Sequence, residues 1–151
     1  MNLKKQVYQQ RKITFVIDGS GSMGNGKNSR WGMTIDALQE ALRKALEKWD
    51  AESCQFTLFL FGEGVKLIYD NARITEEIIN QLVAEEGPLI KARRQDICRG
   101  TYYIKALNAL IANNITGAVI FMTDGQPHEG TEAIREYVVD RAMLKNHDFR
   151  K

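Results

Sequence analysis

Two short runs, residues 13–17 and 118–122, are apolar or β-branched without a break. A strand with one face in water alternates, whereas an unbroken run suits a strand covered on both faces, the condition of a parallel sheet between helix layers. Each run ends on a polar group: Asp18 closes the first, and Thr123-Asp124 follows the second. A chain with two such strands is held to an α/β sheet, and any carboxylates at their ends lie along one edge if the strands are neighbours.

The intervening pattern agrees. Trp31, Ile35, Leu38, Leu42, Ala45 and Trp49 recur at spacings of four and three, one face of a helix over 31–49. Glu40 and Lys44 on the other face form a favourable pair. Residues 54–61 and 65–70 read as strands joined by Gly62-Glu63-Gly64, an antiparallel hairpin. Cys54 is expected at a buried strand start. Thr75 caps a following helix, with Ile78, Ile79, Leu82 and Val83 inward and Gly87-Pro88 as its stop. Residues 89–100 read as a basic loop. A helix over 103–113 turns Ile104, Leu107, Leu110 and Ile111 inward, and a last helix begins near Glu132.

Composition bounds the partners. The 151 residues are 44% hydrophobic and 26% charged, with a net charge of +2. That suits one domain with a real core and gives no general attraction to nucleic acid. The cluster Lys91-Ala92-Arg93-Arg94 with Arg99 is read as solvated surface. Cys54 and Cys98 form neither a disulfide framework nor a zinc spacing. Residues 1–12 lack an apolar core for a secretory leader, and no run approaches the ~18 residues of a membrane span. A reducing, cytoplasmic setting is therefore expected.

The loop after Asp18 supports three readings. Gly19-Ser20-Gly21-Ser22-Met23-Gly24 matches the dinucleotide fingerprint, but the acidic residue required about 20 positions on is Leu38, within a helix. Gly21 to Lys27 nearly fits a phosphate-binding loop, but Asn28 stands where Ser or Thr should reach magnesium. Asp18 would repel phosphate in both. The third reading uses the acid: D-x-S-x-S turns Ser20 and Ser22 toward one point beneath Asp18, with Gly19 and Gly21 permitting tight backbone geometry. Hydroxyls and carboxylates are hard oxygen donors of the kind magnesium takes. Helix capping is the competing explanation for the hydroxyl residues.

This segment resembles the metal-ion-dependent adhesion site, or MIDAS, of von Willebrand factor type A domains. Thr101, in Gly100-Thr101 before a helix, matches the family's second segment, and Asp124, in Thr123-Asp124-Gly125, its third. The resemblance implies a Rossmann-like open sheet, mostly parallel with one antiparallel edge strand, in the order third-second-first-fourth. It implies one domain over 1–151 with a core at about 13–143. Asp18, Ser20, Ser22, Thr101 and Asp124 would be the metal ligands, for Mg2+ first and Mn2+ or Ca2+ as alternatives. Such a site is expected to bind a carboxylate from a partner protein. A metal-assisted hydrolase using the same cation is the alternative, with Glu129 its sole nearby base. Asn25, Lys27, Asn28, Arg30, Arg99, Tyr102, Gln126, His128 and Glu129 would rim the site.

Family members usually continue with further strands, so C-terminal strands are expected to be missing and the fourth strand left as an open edge. A homodimer or a complementing chain is the expected remedy. Intracellular relatives implicate a MoxR-type AAA+ ATPase as partner.

Overall fold

The structure, a computed structural model, describes residues 11–49, 54–95, 100, 102–115 and 118–123. Four strands form one sheet: β1 (Arg11–Asp18), β2 (Cys54–Phe61), β3 (Val65–Arg73) and β4 (Ala118–Met122), in the order β3-β2-β1-β4. β1 runs parallel to β2 and β4, and β2 pairs antiparallel with β3. The expected sheet order and mixed polarity are those observed.

β1 and β2 bury both faces, whereas the unbroken run of β4 is not covered on both as expected: Ala118 and Ile120 are exposed, because β4 is an edge strand of the sheet. Phe15, Ile17, Phe56, Leu58 and Leu60 join one core, against Leu38 and Leu42 of α1 (Arg30–Lys48), Ile79 of α2 (Glu76–Gln81) and Leu89 and Ala92 of α3 (Pro88–Arg93). Val16, Phe59 and Phe61 join the other, against Ala106, Leu107 and Leu110 of α4 (Tyr103–Ala112). The alternation of side chains along each strand divides these sets. Among the described residues, no helix is long and apolar enough to cross a membrane.

Most elements match the sequence reading within a few residues. Cys54 is buried at the start of β2. Thr75 caps α2 by accepting from the Ile78 amide at 3.1 Å. Glu40 and Lys44 pair at 3.1 Å on the exposed face of α1. Ile104 and Ile111 are only half-buried, and Ala106 takes a core position instead.

Three further expectations fail. β3 continues to Arg73, three residues beyond the expected end, because Asn71 adopts a positive φ of 49° and its amide donates to Thr57 Oγ1 at 3.1 Å across an irregular register. Val83 is 54% exposed rather than inward, since α2 ends at Gln81 and helical spacing no longer applies. The expected loop from residue 89 begins as α3: Gly87 is its N-cap and Pro88 fills the first helical position, where a missing N–H costs nothing. The last helix, near Glu132, and Cys98 lie outside the described residues.

Candidate metal centre

The parallel register builds the site. Asp18 ends β1 opposite Phe61 of β2, and Ile17 stands opposite Met122 of β4. The residue after Met122 therefore arrives beside Asp18. Asp18 is fully buried, and both of its oxygens are used: the Ser20 amide donates to Oδ1 at 2.8 Å and Thr123 Oγ1 donates to Oδ2 at 2.8 Å. Tyr103, in the first turn of α4, donates its hydroxyl to Thr123 Oγ1 at 2.8 Å. This chain of donors aims the carboxylate, and each oxygen keeps a further lone pair for a cation or its water.

After Asp18 the chain makes a 3-10 turn, Gly21–Met23, whose Met23 side chain is buried. Ser20 is the turn's N-cap residue, yet its side chain makes no capping bond. Its hydroxyl instead lies 3.1 Å from that of Ser22, and neither has a further partner among the described residues. Ser20 is only 3% exposed. A buried hydroxyl with spare capacity needs something polar to meet it. Helix capping therefore does not account for Ser20. Ser29 does cap, accepting from the Gly32 amide at the start of α1 at 3.1 Å.

Four amides over residues 19–24 are taken by the protein's own oxygens. Gly19 donates to the Phe61 carbonyl, Ser20 to Asp18, Met23 to the Ser20 carbonyl and Gly24 to the Gly21 carbonyl. A phosphate-binding loop points such amides at its ligand. These four are therefore not free for one. Of the two glycines expected to permit the tight geometry, Gly21 is not required by the backbone, whereas Gly24, outside that pair, is. Gly24 takes a φ of 77°, and a Cβ there would sit 3.0 Å from that of Ser29. Gly21 is outside the left-handed region, and a methyl on it would meet nothing within 4 Å.

Arg93, read from sequence as solvated surface, is part of this region. Its Nε donates to the Gly19 carbonyl at 3.0 Å, Nη1 to Asn25 Oδ1 at 2.8 Å, and Nη2 to the Ser20 and Gly24 carbonyls at 3.2 and 2.7 Å. The guanidinium lies 4.1 Å from the centroid of the Trp31 ring. Lys91 and Arg94 beside it remain exposed, and Lys91 pairs with Glu86 at 3.3 Å.

Thr101 and Asp124 lie outside the described residues, as do the rim candidates Arg99, Gln126, His128 and Glu129. Their described chain neighbours are anchored at the site. Tyr102 donates its amide to the Gly62 carbonyl at 2.9 Å, one residue beyond the Phe61 carbonyl that receives Gly19. Thr123 bonds Asp18 directly. Lys27, Asn28 and Arg30 are exposed beside the turn, whereas Asn25 is taken up by Arg93. Among the described residues, no three His, Cys, Asp or Glu side chains gather to hold a metal. The donors that do gather are one carboxylate and two hydroxyls, a set that fits a hard divalent cation.

A model of the von Willebrand factor type A domain matches residues 13–126. The chain belongs to this family. Among solved structures, proximal thread matrix protein 1 of the mussel byssus superposes with a TM-score of 0.60 at 21% identity, covering 89% of this chain and 35% of that one. Another structure of the same mussel protein, with a zinc-occupied MIDAS motif, gives 0.55 at 15% identity, covering 88% and 33%. The pilus adhesin SpaC of Lactobacillus rhamnosus GG gives 0.58 at 19% identity, covering 79% and 16%. This chain thus spans about a third or less of the length of these proteins, and at such identities the likeness is one of fold. No curated protein matches it by sequence.

Proposed function

We propose that this von Willebrand factor type A domain is a divalent-cation-dependent protein-binding module rather than an enzyme, with a complete MIDAS formed by Asp18, Ser20, Ser22, Thr101 and Asp124. The observation that carries the reading is the buried Ser20 hydroxyl, which declines its capping role and lines up with Ser22 beside a buried carboxylate. Magnesium is the expected ion, with manganese or calcium as substitutes. The zinc held at the MIDAS of the mussel protein supports a divalent ion in this kind of site.

Ser20 and Ser22 would give the ion neutral oxygens, and Asp18, held by Thr123 and the Ser20 amide, would orient coordinated water. When bound, the ion supplies a Lewis-acidic position that a carboxylate from a partner can fill. The exposed cations Lys27 and Arg30 would draw an acidic partner toward that position.

Crosslinking from a native extract tests this. Partners captured in magnesium should be lost with chelator and with Asp18→Ala. Capture that survives both treatments would refute a cation-bridged contact.

A further inference from the structure

The geometry points to Arg93 as the positioning residue that holds the Ser20–Ser22 turn in its cation-ready shape, an inference that rests on the metal reading above. Three loop carbonyls, of Gly19, Ser20 and Gly24, converge on one side of the turn, and a single guanidinium donates to them all. Converging carbonyl dipoles repel one another without a donor between them. With those carbonyls turned toward Arg93, the turn holds the two serine hydroxyls side by side, 3.1 Å apart. The guanidinium is itself fixed. Leu89 and Ala92 of α3 are fully buried in the main core, so the helix cannot slide, and Trp31 lies against the guanidinium plane.

Only arginine fits this role. Its planar fork reaches several acceptors at fixed angles, whereas a lysine ammonium is a point with three mobile donors. The charge of Arg93 alone would act in the opposite direction, since a cation near a divalent-ion site repels the ion. Clamp and charge therefore predict different signs, and that decides the test.

Magnesium titrations and hydrogen exchange of wild type, Arg93→Lys and Arg93→Met provide it. As a clamp, Arg93 is replaceable by neither residue: both variants should bind magnesium about tenfold or more weakly, the scale for groups that support metal ligands. In metal-free protein, the amides of Met23 and Gly24, bonded within the turn, should exchange at least about tenfold faster, the same factor expected of the affinity. Amides of β1 and β2 should keep wild-type protection, which separates local loosening from a folding defect. A lysine variant with wild-type affinity, a methionine variant that binds magnesium more tightly, or unchanged exchange in the turn would overturn the inference. Failure of the wild type to bind magnesium would count against the metal reading alone, and the exchange contrast would still decide the clamp.

Discussion

Strand β2 and the loop over residues 19–29 meet at one backbone bond, from Gly19 to Phe61, yet they are held by different means. Along β2, Phe56, Leu58 and Leu60 are fully buried and pack against three helices by shape and apolar contact. The loop has one buried apolar anchor, Met23, and otherwise rests on hydrogen bonds to Asp18, Ser29 and the Arg93 guanidinium. Apolar packing is strong and non-directional, and hydrogen bonds are weaker and directional. The strand thus supplies stability, and the loop aims its oxygen atoms.

Substitutions should separate the two. Phe56→Ala should have the largest effect, lowering unfolding free energy by about 3–5 kcal/mol in urea titrations, with or without magnesium. Asp18→Ala should act on the other side of the comparison. Magnesium at a hundred times its dissociation constant should stabilise the wild type by about 2.7 kcal/mol and leave this variant's melting temperature unmoved. Gly24→Ala should cost about 1–3 kcal/mol, because its φ of 77° with ψ of −172° is a backbone conformation essentially confined to glycine, while Gly21→Ala should be nearly silent in the same melts. Thr123→Val should be the mildest, removing the hydroxyl between Tyr103 and Asp18. Calorimetry should show magnesium affinity lower by about tenfold, with the core intact.

Legibility in the sequence follows the same division. β1 and β4 are readable from their short unbroken runs of apolar or β-branched residues, α1 because its burial is periodic, and Asp18, Ser20 and Ser22 because they share one short motif. α3 is hidden in the sequence because Gly87-Pro88 reads as a stop, although the same pair also starts helices and Leu89 and Ala92 stand three apart. The role of Arg93 had no local signal: its partners lie 68 to 74 residues away, and a basic cluster reads as surface until the fold assembles it. Thr123 was in view as a neighbour of Asp124, but its bond to Asp18 depends on the parallel pairing of β1 with β4.

The most direct measurement is anomalous diffraction from crystals grown with manganese. An ion touching both the Ser20 and Ser22 hydroxyls is expected, with oxygen ligands at about 2.1 Å and Asp18 adjacent. A fully occupied ion elsewhere, or no ion with the two serine hydroxyls bonded to backbone, would contradict it.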